Sequence, residues 1–341
     1  MRASLRAVAF GMGILIAVGT VASSSRAQTA DSGALKTVRM LLPGQIGPAT
    51  GIMWYGVDTG IFKKRGIDLQ IDEPASVAGA SSIGLLDSGK YDVGYVSSIT
   101  MLQARQENGS ELVQFYGLFQ SNPNCFLVKK SAGITSLEQL KGKTILLASS
   151  SDNATPLAML AKHGVTAATA KIEMAATSAT FGAFIQGTAD AINTYAFSNQ
   201  PILRQANNLD TTAFCQADDG FNYQWAGIAT RSSYLSANRA LLRALAAGIA
   251  ETYTAANANP QAAAADLQQR FPQLSLPVDV IAQTIRAEAP YWRTGNTKSL
   301  PLGMMSATDW SVTKQIAVKY EGLRPDFDVA AAWTNATFDT K

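Results

Sequence analysis

The sequence is poor in the residues that most often do chemistry. It has one histidine, two cysteines and 16% charged residues in 341 positions. A single imidazole, His163, leaves no second histidine for a zinc site and argues against a Ser-His-Asp triad. It stands just before Gly164, where a cation at a helix C-terminus is the plain reading. Cys125 and Cys215 lack metal-ligand spacing, so no metal or other cofactor is expected. Gly142-Lys143-Thr144 looks like the end of a phosphate-binding loop, but Leu137 stands where that motif needs glycine. Long apolar runs are also missing. The longest, Ala7 to Ala22, holds three glycines and is short for a bilayer span.

That run is preceded by Arg2 and Arg6 and followed by Ser25-Arg26-Ala27. The three parts read as a secretory signal, residues 1–27, cleaved before Gln28 and directing the chain to the periplasm. A single membrane anchor is the alternative. No cysteine follows the cleavage point, so a lipid anchor there is not expected. The whole chain is +3, and the segment removed carries Arg2, Arg6 and Arg26 with no acid, so the remainder is +3 − 3 = 0. A near-neutral protein is a poor partner for nucleic acid or an anionic membrane. In an exported chain two cysteines point to one disulfide, Cys125 to Cys215, with two buried thiols as the alternative.

What is present is a strong alternation of strands and helices. Residues 36–73 read as strand, loop, helix and strand. Val38, Met40, Leu41 and Leu42 suit a strand covered on both faces. Pro43-Gly44 ends it, an apolar helix stops at Gly60, and Leu69 and Ile71 alternate with polar neighbours. The unit predicts two parallel strands joined by a right-handed crossover. Further helices are predicted over 76–90, 100–108, 136–140, 155–163, 180–187, 199–207, 237–256, 261–270, 278–289 and 308–320. Strands are predicted over 92–97, 112–119, 125–129, 144–148, 171–174, 190–195, 211–215 and 221–230.

Four stretches carry a resemblance. Gly60 to Leu69 (GIFKKRGIDL), Leu85 to Gly94 (LLDSGKYDVG), Ile134 to Ile145 (ITSLEQLKGKTI) and Phe184 to Ala191 (FIQGTADA) occur in order. Together they resemble the substrate-binding proteins of bacterial ABC transporters for nitrate, sulfonate, taurine and pyrimidine (thiamine) precursors. The resemblance implies an α/β fold of two lobes, the type II periplasmic binding protein fold, each lobe a mixed, mostly parallel sheet flanked by helices. It implies lobe 1 from 36–124 and 226–341, and lobe 2 from 125–225. Strands crossing between lobes near 122–128 and 222–229 would make the hinge. It also implies a monomer that passes a small molecule to a permease and an ATPase. Some relatives are pyrimidine-synthesising enzymes with a cysteine-rich run. Here only Cys125 stands in the corresponding place, which argues for binding over catalysis.

In open α/β sheets ligands bind beyond the carboxyl ends of the strands. The candidates there are Gln45, Ser97 and Ser98, Asn122, and Ser150, Ser151 and Asp152 before a helix start that suits an anion or carbonyl. Tyr195, Asn222 and Trp225 complete the set. Trp54, Tyr195, Phe197 and Trp225 could form a slot for a flat ring. Alkanesulfonate, taurine or nitrate is what the resemblance implies first, whereas the aromatic loops favour a pyrimidine-like or aromatic carboxylate ligand. Arginine is sparse at these loops, and a bare oxyanion would want a charged partner or several N–H groups. A sensory protein presenting its ligand to a receptor is a further alternative.

Overall fold

A computed structural model describes residues 34–338, apart from Pro43, Gln45, Ile46, Ala75, Ser76, Ala78 and Ser149–Asp152. The signal-like segment therefore lies outside the described residues. In chain order the elements are β1 (Lys36–Leu41), α1 (Pro48–Asp58), β2 (Ile67–Asp72), α2 (Ala80–Asp87), β3 (Val93–Ser97), α3 (Ser98–Asn108), β4 (Leu112–Phe119) and β5 (Asn124–Lys129). Then come β6 (Thr144–Ala148), α4 (Ala154–Lys162), β7 (Lys171–Ala175), α5 (Thr177–Gln186), β8 (Ala191–Tyr195), α6 (Ala196–Asn207) and β9 (Thr211–Cys215). The last are β10 (Ala226–Arg231), α7 (Ser232–Ala237), α8 (Arg239–Ala258), α9 (Pro260–Arg270), α10 (Val278–Glu288) and α11 (Ala307–Tyr320).

Two five-stranded sheets result. The first has the order β2-β1-β3-β10-β4 and the second β7-β6-β8-β5-β9. In the first, β1 pairs parallel with β2 and β3, while β10 runs antiparallel to both β3 and β4. In the second, β6 pairs parallel with β7 and β8, while β5 runs antiparallel to β8 and β9. Each sheet thus has four strands of one direction and one reversed strand. The reversed strand is the one that enters from the other sheet, β5 after β4 and β10 after β9. A chain arriving at the rim where parallel strands end must run away from that rim, so the linkage itself fixes the reversal.

Crossover handedness sets the layers. The steps β1 to β2 and β2 to β3 go in opposite directions across the sheet, so right-handed crossovers put α1 and α2 on opposite faces. Helices α8, α9 and α10 pack with α1, and α3 with α2. One apolar core, including Val38, Met40, Ile52, Leu245 and Trp310, covers the first sheet. The second has a core on each face, one around Phe126, Met159 and Leu160 and another around Leu127, Phe184 and Leu203.

The βαβ unit at the start matches its sequence pattern, with Lys36 to Leu41 in register with Ile67 to Asp72. The predicted return strand is shorter than expected. Residues 221–225 carry no strand of their own, and the paired register begins at Ala226, with the Trp225 N–H donating to the Phe119 carbonyl and the Trp225 carbonyl accepting from the Ser98 N–H just ahead of it. Their apolar character comes from packing, because Phe221, Tyr223 and Trp225 are buried among aromatic neighbours. The strands themselves do not span the two sheets, as the predicted hinge assumed. Short links, 120–123 and 220–225, do so. The predicted helix over 237–256 is divided at Asn238, which ends α7 and precedes α8.

Cys125 and Cys215 face one another across β5 and β9 and are joined as a disulfide 90 residues apart. In the chain-entropy description such a loop stabilises by about 4 kcal/mol. A Cys125→Ser, Cys215→Ser variant is therefore expected to lose on the order of 4 kcal/mol in urea unfolding monitored by circular dichroism.

Candidate functional site

The ends of β6 and β8 and the start of β5 open on a cavity of about 350 Å³. Its lining is Asn124, Ala148, Asn153, Thr180, Phe181, Asn193, Thr194, Tyr195, Asn199 and Trp225. None of these side chains is charged. Three helix starts meet there. Asn153 caps α4, Thr180 and Phe181 lie in the first turns of α5, and Tyr195 and Asn199 bracket the first turn of α6. None of the three N-cap residues, Asn153, Ala176 and Tyr195, caps its own helix through its side chain, although Glu321 accepts from the Thr155 N–H in the first turn of α4. Backbone N–H groups at such ends attract oxygen atoms.

The asparagines are oriented by the protein. Asn199 donates both amide hydrogens, to Thr194 Oγ1 at 2.7 Å and the Tyr195 carbonyl at 3.1 Å. Asn193 donates to the Cys125 carbonyl at 3.4 Å, and Asn124 to Asn122 Oδ1 at 3.1 Å. Among the described residues nothing donates to the side-chain carbonyl oxygens of Asn124, Asn193 or Asn199. The cavity therefore offers amide oxygens as acceptors beside helix-end N–H groups as donors.

The aromatic wall is continuous. Tyr195 stacks on Phe197 (centroids 5.9 Å apart, planes at 5°) and meets Trp225 edge-on at 6.2 Å. Behind it, Phe197 stacks on Phe119, which meets Tyr95. Tyr195 and Trp225 face the cavity, while Phe197 is buried behind them.

Other candidates from the sequence are distributed differently. Gln45, Ser150, Ser151 and Asp152 lie outside the described residues. Trp54 does not line this cavity. Its indole N–H donates to Glu73 at 2.8 Å, and the Arg270 guanidinium lies 4.3 Å over its ring. Burial raises the Glu73 carboxyl above its usual range. Ser97 caps α3, accepting from the Thr100 N–H. Ser98 is fully buried, and its hydroxyl pairs with the Gln114 amide.

Asn122 and Asn222 clasp the two links to each other. Asn222 Oδ1 accepts from the Asn122 N–H at 3.0 Å and from the Ser121 hydroxyl at 2.7 Å. Asn122 is fully buried. Its amide donates to Gln216 Oε1 and the Phe221 carbonyl, and its oxygen accepts from the Asn124 N–H, all at 3.0 Å. The sequence singled out neither Asn124, Asn193 nor Asn199. The signal available was their position, since each sits within a few residues of a strand end.

His163 ends α4 and lies between two carboxylates, Nδ1 against Glu138 and Nε2 3.1 Å from Asp219. The hydrogen bond to Glu138 raises the imidazole above its ordinary value, and the same contact lowers Glu138 to about 2. The cluster lies apart from the cavity.

Two five-stranded sheets joined by two short links, with a cavity at the strand ends of the second, match the fold of periplasmic ABC-type substrate-binding proteins. The alkanesulfonate-binding protein SsuA from Xanthomonas axonopodis pv. citri, bound to MOPS, superposes with TM-score 0.63 at 17% identity. That match covers 87% of this chain and 98% of the other. The periplasmic aliphatic sulphonate binding protein SsuA from Escherichia coli gives 0.67 at 18%, covering 89% and 94%. Residues 48–263 match the NMT1/THI5-like family, and the chain belongs to it. The riboflavin-binding protein RibY of Chloroflexus aurantiacus is 26% identical over 247 residues, 70% of this chain and 68% of that protein.

Two outcomes follow from these contacts. Asn122→Ala leaves three buried partners unpaired and is expected to cost about 3 kcal/mol or more in urea unfolding. The His163 ring should titrate by NMR with a midpoint above 6.5, and the midpoint should fall in Asp219→Asn. Because the folded value is raised, the contribution of His163 to stability is complete below about pH 6.5 and is lost as pH rises through the folded midpoint.

Proposed function

We propose that this protein is an exported solute-binding protein that captures an uncharged, planar heteroaromatic molecule and delivers it to the permease and ATPase of an ABC importer. Residues 1–27 act as the cleaved signal, the working form is a periplasmic monomer, and no reaction is catalysed. The clasped links at 120–123 and 220–225 serve as the hinge. Closure brings the first lobe over a ligand held mainly by the second, and the contacts made only in the closed state drive the change.

The observation that carries this reading is the cavity lining. A ring bearing alternating C=O and N–H groups finds helix-end N–H donors and asparagine oxygens together, with Tyr195 and Trp225 to cover its faces. A sulfonate or nitrate has acceptors alone and would leave the asparagine oxygens unpaired. The likeness to a riboflavin-binding relative supports a flavin- or pyrimidine-like ring. The alternative, an alkanesulfonate, taurine or nitrate ligand, is favoured by the three helix starts, which suit an oxyanion.

Thermal unfolding with riboflavin, lumichrome, taurine and methanesulfonate separates the two. A ligand at one hundred times its Kd adds about 2.7 kcal/mol, a rise of several degrees in Tm. Riboflavin or lumichrome should produce that rise, and Tyr195→Ala should weaken the binding about tenfold or more. A rise with the sulfonates and none with the ring compounds would replace this reading with the alternative.

A further inference from the structure

Of the described methionines one is exposed. Met174 is 55% exposed, while Met40, Met53, Met101, Met159 and Met305 are buried and Met304 is half-buried. Met174 lies near the end of β7, an edge strand of the second sheet. Side chains alternate between the two faces of a strand. Ile172, on the same face, packs against the core around Phe126, and Met174 is left at the surface.

The sulfur touches the wall of the cavity. Met174 Sδ accepts from Asn153 Nδ2 at 3.6 Å, and the same amide donates to the Ala148 carbonyl at 3.0 Å. Asn153 and Ala148 both line the cavity. A thioether is a weak acceptor, so the carbonyl holds the amide more firmly than the sulfur does. One direct contact therefore joins a solvent-exposed sulfur to a lining residue.

We propose that Met174 is an oxidation site that controls the cavity, with a peroxide as the oxidant. A sulfur lone pair forms a bond to one peroxide oxygen, and the O–O bond breaks. With hydrogen peroxide the second oxygen leaves as water and takes both protons. The sulfur loses two electrons and the peroxide gains them. The sulfoxide is polar, and its oxygen is a much stronger acceptor than the thioether. It competes with the Ala148 carbonyl for the Asn153 amide and turns that side chain toward β7. Methionine sulfoxide reductases restore the thioether, so the change is reversible. Its effect on a ligand rests on the reading that this cavity is the ligand site, whereas the oxidation and the movement of Asn153 do not.

The full chain is treated with dilute hydrogen peroxide and followed by peptide mass spectrometry and by NMR of the side-chain amides. Met174 should gain oxygen about tenfold or more faster than Met40, Met53 or Met101, and the Asn153 amide signal should shift. Met174→Leu keeps the apolar bulk at a surface position that tolerates it, and its Asn153 signal should not respond to peroxide. Oxidation of Met174 no faster than that of the buried methionines, or an Asn153 signal that stays still or moves equally in the variant, would overturn the proposal. Riboflavin and methanesulfonate are titrated before and after treatment. Whichever binds the untreated protein should bind the oxidised protein about tenfold more weakly, with no such loss in Met174→Leu. Unchanged affinity after oxidation would overturn the control of the cavity. If neither compound binds while the Asn153 signal moves, the oxidation site stands and the ligand assignment falls.

Discussion

The constraint on which this architecture depends is that the chain passes between its two sheets only at their rims. Strands of both sheets end at those rims, and so a strand that begins there has to run backwards. That is why β5 and β10 are the reversed members of otherwise parallel sets. It also explains where polar groups gather. Parallel strand ends, helix starts and both links converge in one region, and each brings backbone groups that cannot pair within its own sheet. Part of that demand is met internally, by Asn122 and Asn222 and by Ser98 with Gln114. What is left open forms the cavity.

The same convergence gives the cavity its mixed character. Helix starts contribute positive ends and asparagines contribute oxygens turned outward by their own amide bonds, as at Asn199. Neither group carries a full charge, so on the proposed reading orientation replaces Coulomb attraction as the means of recognition. The aromatic stack from Tyr195 through Phe197 to Phe119 ties the wall of the cavity to the last strand before the first link.

Much of the fold was legible because glycines and prolines punctuate it. Gly60, Gly66, Gly109 and Gly187 all take left-handed backbone, and the adjoining elements end where the sequence says they should. The run Phe221 to Trp225 misled because burial and strand pairing leave the same apolar pattern, and only packing tells them apart. The site was legible in outline only. The rule of strand ends led to Tyr195 and Trp225, which line the cavity. It could not distinguish them from Ser98 and Asn122, whose polar atoms turn inward, or from Trp54, whose ring is engaged by Glu73 and Arg270. An asparagine's direction depends on partners brought from elsewhere in the chain, as Asn193 depends on Cys125, and no local pattern records that.

The middle position of β10 bears on how the protein comes into being. The second sheet is drawn from one unbroken run and can assemble as soon as that run is available. The first must keep a vacant lane between β3 and β4 until residues 226–231 arrive, more than a hundred positions after β4. During that interval two apolar edges stand side by side with their ladder groups unmet, an invitation to any stray extended segment. Synthesis that pauses before residue 226 therefore meets the chain at its most adhesive, and the delay is a property of topology that no repacking of the core would shorten.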